Sequence, residues 1–123
     1  MKRYTEEHQW ISLQGDTATI GITTFAADEL GELSYVELPE IGKLVNGGDP
    51  LCVVESVKAA SDVFMPVTAT IAEVNEELDT NPTLINDSPE DQGWICKATG
   101  VCEDNLAGLM DEAAYQAFIS TQK

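Results

Sequence analysis

Apolar and polar residues alternate along much of the first hundred positions, and beyond Glu103 the repeat lengthens to that of a helix. His8 to Leu13 and Thr17 to Ile22 read as two strands joined at Gln14-Gly15-Asp16, where glycine eases the turn. Phe25, Ala26 and Leu30 fall at helical spacing, with Thr24 as the expected cap and Gly31 as the stop. Tyr35 to Leu38 alternates like a strand that Pro39 ends, and Gly42, Gly47 and Gly48 mark a turn-rich connection. Two short apolar runs, Leu51 to Val54 and Val63 to Met65, flank a polar stretch with Lys58 near its middle, the pattern of a β-hairpin presenting one side chain at its tip.

After Pro66 a bend is expected at Thr68-Ala69, and then a strand from Thr70 to Val74. Residues 76–82 read as a polar loop, Leu84 to Asn86 as a brief apolar touch before a turn at Asp87-Ser88-Pro89, and Trp94 to Ala98 as a strand closing the sheet. Leu106, Leu109, Met110, Ala113, Ala117 and Phe118 share one helical face, so the C-terminus is expected to be helical, broken near Gly108 or Asp111, and packed on the strands. Met110 and Phe118 are read as core rather than cofactor contacts.

At 123 residues and 43% hydrophobic composition the chain is expected to form one cored domain spanning 1–123. The net charge of −16 argues against nucleic acid and anionic membranes as partners and favours basic protein surfaces. No run reaches transmembrane length, and Met1 to Glu7 holds no apolar signal core. A cytoplasmic, bacterial protein is expected, or a mitochondrial matrix protein whose presequence has been removed. Cys52, Cys96 and Cys102 are odd in number and lack metal-site spacing, and His8 is the single histidine, so no metal is expected and the cysteines read as reduced, mostly buried thiols.

Most isolated surface lysines are solvated charge without a task. Lys58 differs in its setting: it lies between Glu55 and Asp62 among the small residues Ser56, Ala59, Ala60 and Ser61, which leave it open to an approaching protein. A lysine becomes a nucleophile or base where burial or neighbouring positive charge depletes its ammonium form. Two flanking acids do the reverse, so Schiff-base chemistry is not expected, whereas acylation by an external ligase needs only an accessible amine.

The stretch Val54-Glu55-Ser56-Val57-Lys58-Ala59-Ala60-Ser61-Asp62 resembles the lipoyl-attachment motif of the glycine cleavage H-protein family. Similarity extends through Tyr4-Thr5, His8, Trp10-Ile11, Gly21-Ile22-Thr23, Leu30-Gly31-Glu32, Tyr35 to Glu40, Val74-Asn75-Glu76, Asn81-Pro82, Leu84-Ile85-Asn86 and Gly93-Trp94, in the family's order. Gly48-Asp49 also resembles the pair that precedes the attachment hairpin in lipoyl and biotinyl carriers. Biotin is not expected, because biotinyl carriers usually flank their lysine with methionines and Lys58 has Val57 and Ala59.

The resemblance implies a mainly β, barrel-sandwich hybrid with a short internal helix and a C-terminal helix. It implies lipoate in amide linkage to Lys58, with Glu55, Ser56, Val57, Ala59 and Asp62 forming the surface that a lipoate-attaching enzyme recognises. The implied role is that of a non-catalytic carrier, a monomer that takes an aminomethyl group from glycine decarboxylase to an aminomethyltransferase and presents the reduced arm to dihydrolipoyl dehydrogenase. The family is expected to fold the loaded arm against its own surface. Where it carries His-Glu this chain has His8-Gln9, a neutral amide in place of a glutamate that could hold a cationic amine. His8 itself is read as structural, and Glu37, Glu40, Glu55 and Asp62 as surface acids that could form a docking patch. A lipoyl relay serving other enzymes and an unmodified adaptor stay open beside the carrier.

Overall fold

The structure, a computed structural model, describes residues 1–121. Among these, alternation yields nine strands in two antiparallel sheets. The larger is built from β1 (Lys2–Tyr4), β2 (Gln9–Gln14), β3 (Thr17–Ile22), β5 (Leu44–Val45), β8 (Ala69–Val74) and β9 (Cys96–Thr99), in the order β1-β2-β3-β9-β8-β5. The smaller holds β4 (Leu33–Glu37), β6 (Pro50–Ser56) and β7 (Ala60–Phe64), in that order. Helix α1 (Thr24–Leu30) joins the sheets, α2 (Glu77–Thr80) and α3 (Leu84–Asp87) are single turns between β8 and β9, and α4 (Glu103–Leu106) and α5 (Glu112–Ser120) follow the last strand. No helix among the described residues is long and apolar enough to cross a membrane.

One apolar cluster draws on both sheets: Ile11, Ile20 and Ile71 from the larger, Val36, Val54 and Val63 from the smaller, capped by Leu78, Ile85 and Leu106 from the short helices. Each strand gives alternate residues to this interior, so a one-residue slip would turn its apolar set outward. That requirement fixes the hairpin register, with Val54 buried while Val53 and Glu55 face away. A second cluster stacks Tyr4 on Tyr115 at 4.6 Å and adds Trp10, which joins α5 to the edge of the larger sheet.

The mainly β class, the internal helix, the C-terminal helix and its interruption between Leu106 and Glu112 agree with expectation. Four details differ. Thr23, not Thr24, caps α1, its hydroxyl accepting from Ala26 N at 3.3 Å, because the N–H and hydroxyl of Thr24 are both taken by Glu90 at 3.0 Å. The bend after Pro66 ends earlier than expected: Ala69 opens β8, buried opposite Val45, and does not have positive φ. His8 is not part of the first long strand but precedes it, at φ +67°. The segments 76–82 and 84–86 contain helical turns too brief for a 3.6-residue period to register, and β1 and β5 are likewise too short to show an alternation. Of the cysteines, Cys52 and Cys96 are buried and Cys102 is exposed. Burial pushes the Cys52 thiol far up and the Cys96 thiol up to about 12, so both stay protonated.

Candidate functional site

The β6–β7 ladder runs out to the pair Glu55 and Ala60. Ser56 N then donates to Ala59 O at 2.9 Å, which leaves Val57, Lys58 and Ala59 as the projecting loop. No glycine makes this turn. Instead the Ser56 hydroxyl accepts from Lys58 N at 3.2 Å and Ala59 N at 3.4 Å, a local side-chain bond that substitutes for ladder pairing. Val57 is 84% exposed, and Lys58, Ala59 and Asp62 are exposed as well. The register sets Glu37, Val53 and Asp62 side by side on the outer face of the smaller sheet, with Tyr35, Glu55 and Ala60 in the next row of that face. Three of the four acids considered for docking therefore share one surface. Glu40 follows β4, off the sheet.

The side chain of Lys58 has a resting place. Its Nζ donates to the carbonyl of Glu29 at 3.3 Å, and its stem lies so close to Gly31 that a Cβ there would stand 3.3 Å from Cε. Gly31, at φ +78°, also stops α1 through its N–H to Ala27 O. Asn86 holds this corner from outside, donating to Gly31 O at 2.7 Å and accepting from Leu33 N at 2.9 Å. Glu90 holds the other end of α1, taking Thr24 N and Lys2 Nζ (2.9 Å) on its two oxygens. Burial alone would raise the Glu90 carboxyl, but these bonds outweigh it and hold it below the usual range.

Beside the lysine lies a cleft of about 180 Å³, lined by Ile22, Phe25, Ala26 and Leu30 on one side, by Val54 and Val63 on the other, and by the acids Glu7, Glu29 and Asp62. His8 and Gln9 complete it. The His8 ring lies 4.6 Å from Phe25, its Nδ1 meets the Tyr115 hydroxyl at 2.8 Å, and that hydroxyl meets Thr23 Oγ1 at 2.7 Å. Burial lowers the imidazole's pKa against the opposing pull of Glu7 and Glu29, so it favours the neutral form. Gln9, 2% exposed, accepts from Thr5 Oγ1 at 2.6 Å and donates from Nε2 to Glu7 O at 2.8 Å. A carboxylate could not make the second bond, so the amide fits its backbone surroundings.

Glu55, Ser56, Val57, Lys58 and Ala59 thus come together at one hairpin tip, Asp62 lies farther down β7 opposite Val53, and the structural reading of His8 agrees with its packing. Sequence reasoning does not single out Glu7, Glu29, Asn86, Glu90 or Tyr115 as parts of the site, because none of them carries a local signature of the contact it makes. No group of three or more His, Cys, Asp or Glu able to hold a metal occurs among the described residues.

A family model described as Glycine cleavage H-protein matches residues 2–122. A glycine cleavage system H protein from Phenylobacterium zucineum is 51% identical over 118 residues, covering 96% of this chain and 98% of its own. Another from Thermotoga maritima is 48% identical, covering 99% and 98%. A putative mitochondrial H protein of Schizosaccharomyces pombe is 45% identical, covering 95% of this chain and 69% of its own. The solved structure of a glycine cleavage system H protein from Mycobacterium marinum superposes with a TM-score of 0.87 at 30% identity, covering 97% and 96% of the two chains. A match that spans nearly the whole chain, in sequence and in fold, places it in the glycine cleavage H-protein family, the lipoyl carriers of the glycine cleavage system.

Proposed function

We propose that residues 1–123 act as a single lipoyl-carrier domain whose Lys58 bears lipoate in amide linkage. The observation that carries this reading is the exposed amine at the apex of a three-residue loop, resting on the Glu29 carbonyl at the mouth of an apolar cleft. The residues fit the group: the amine is open to a ligase, and the adjoining cleft is apolar along its walls. Glu55, Ser56, Val57, Ala59 and Asp62 are the surface the lipoate-attaching enzyme would grip, with Ser56 holding the loop in shape.

Lipoate, when attached, would supply a disulfide whose opening leaves the aminomethyl group on one sulfur and a thiol on the other, with the dithiol completed only when the one-carbon cargo leaves. The chain's own contribution is placement. Amide linkage removes the lysine's charge and gives an arm spanning about 14 Å, enough to tether the cargo at high effective concentration near each partner. Phe25, Leu30, Val54 and Val63 exclude water from the arm, and Glu7 and Glu29 offer negative charge to a cationic amine. These carboxylates stand in for the glutamate that Gln9 replaces.

The protein serves as a carrier and not a catalyst, with glycine decarboxylase, the aminomethyltransferase, dihydrolipoyl dehydrogenase and the lipoate-attaching enzyme as partners. It works as a monomer in the cytoplasm, or in the mitochondrial matrix in an organellar setting. Intact mass of the native protein, with peptide mapping, tests the reading: a lipoyl increment on Lys58 is expected, and an unmodified lysine would overturn it in favour of an adaptor. A lipoylated chain that takes no aminomethyl group from the decarboxylase would point to the relay.

A further inference from the structure

A second groove, of about 430 Å³, lies on the far side of Gln9 from the arm's cleft. Tyr4, Phe64, Met65, Pro66, Leu109 and Met110 give it apolar walls, and Glu6 and Glu7, both exposed, supply its charge. Among the described residues, no lysine or arginine lines it. The groove is held by backbone pairing: Tyr4 N to Met110 O at 2.8 Å and Met110 N to Tyr4 O at 3.0 Å on one side, and Gly48 N to Met65 O at 2.8 Å on the other.

Apolar walls beside two exposed carboxylates match a side chain with an aliphatic stem and a cationic head. Met110, half-buried in the groove wall, has a side chain that adapts its shape, which suits a surface that must receive and release a partner. The net charge of −16 draws basic surfaces toward such a site. Its position then selects among partners, because Glu7 and Gln9 line both this groove and the arm's cleft. A protein seated in the groove touches the wall behind the sheltered arm. Of the enzymes that meet the arm, the one that must draw it out loaded is the one that removes the cargo.

We propose that this groove docks an apolar segment headed by arginine or lysine from the enzyme that takes the one-carbon cargo, the aminomethyltransferase. The inference rests on the carrier reading above, but its test does not need lipoate. Unlipoylated chain is titrated against purified aminomethyltransferase, decarboxylase and dehydrogenase by calorimetry at two salt concentrations. Gly108 lines the groove, and a Cβ there would meet nothing within 4 Å, so Gly108→Trp adds bulk at the groove from an open position. Glu6→Lys reverses charge at a residue that lines this groove and not the cleft.

Each variant is expected to weaken binding to the transferase by about tenfold or more, as for loss of an interface anchor, while affinity for the other two enzymes stays unchanged. Glu6→Lys should also flatten the salt dependence. Native affinity in both variants overturns the proposal, as does equal loss toward all three enzymes. A self-association of the native chain that Gly108→Trp abolishes would assign the groove to a second copy and overturn it too. If Gly108→Trp lowers the thermal midpoint, Glu6→Lys decides alone. An unmodified Lys58 in native protein would sink the carrier reading through mass, a readout separate from these affinities.

Discussion

The hairpins β2–β3 and β6–β7 have the same topology and opposite tips. In the first, pairing runs to Gln14 and Thr17, so only Gly15 and Asp16 make the turn, with Gly15 at φ +67°. Its strands lie between β1 and β9, and the turn displays no side chain of chemical interest. In the second, three non-glycine residues project, shaped by the Ser56 hydroxyl, and β7 is an edge strand. A glycine turn closes a hairpin with the fewest residues. A hydroxyl-made turn leaves room to present one, and the difference separates a hairpin that stabilises from one that displays.

The largest effect that tests this division is on the display hairpin. Lys58→Arg should leave the thermal midpoint unchanged and abolish both the lipoyl mass increment and glycine cleavage, since a guanidinium keeps charge but gives the ligase no acylatable amine. Measurable carriage by this variant would erase the distinction. On the stabilising hairpin the reverse is expected. A Cβ at Gly21 would lie 2.8 to 3.0 Å from the Trp10 ring, which is fixed by its Nε1 bond to Pro89 O. Gly21→Ala should cost about 1–3 kcal/mol in urea unfolding, as overpacking does, with lipoylation intact below the transition.

A smaller change sharpens the role of Ser56. Ser56→Ala removes an exposed acceptor, so global stability should fall by only about 0.5 kcal/mol. Amide exchange at Lys58 and Ala59 should nevertheless quicken, and lipoylation slow. The smallest effect belongs to the root of the first hairpin. His8 favours the neutral form in the folded state, so its contribution is present above the unfolded pKa and lost as pH falls through the lowered folded value. Native protein should therefore lose more thermal stability than His8→Gln on acidification from pH 7 through about 6.5 and below. Parallel melting curves for the two would remove His8 from the account.

Strand alternation, the helix stop at Gly31 and the lysine between two apolar runs are legible because each depends on neighbours in sequence. The site's supports are not. Thr24 is held by Glu90, 66 positions away, Gly31 by Asn86 at a separation of 55, and His8 by Tyr115 at 107. The cap of α1 falls on Thr23 and not on the expected Thr24 for that reason: Thr24 is engaged by a carboxylate distant in sequence. Local sequence likewise places Ala69 in a bend, whereas its burial opposite Val45 comes from sheet pairing. The surface acids are readable as residues, but their sharing of one sheet face requires the register of three strands.

The bond from Lys58 Nζ to the Glu29 carbonyl uses a single N–H, and the proposed acylation leaves one there. An amide nitrogen retains one hydrogen, which is all that this carbonyl needs. On the proposed linkage, acylation would therefore change the charge of the side chain while keeping the donor of its mooring.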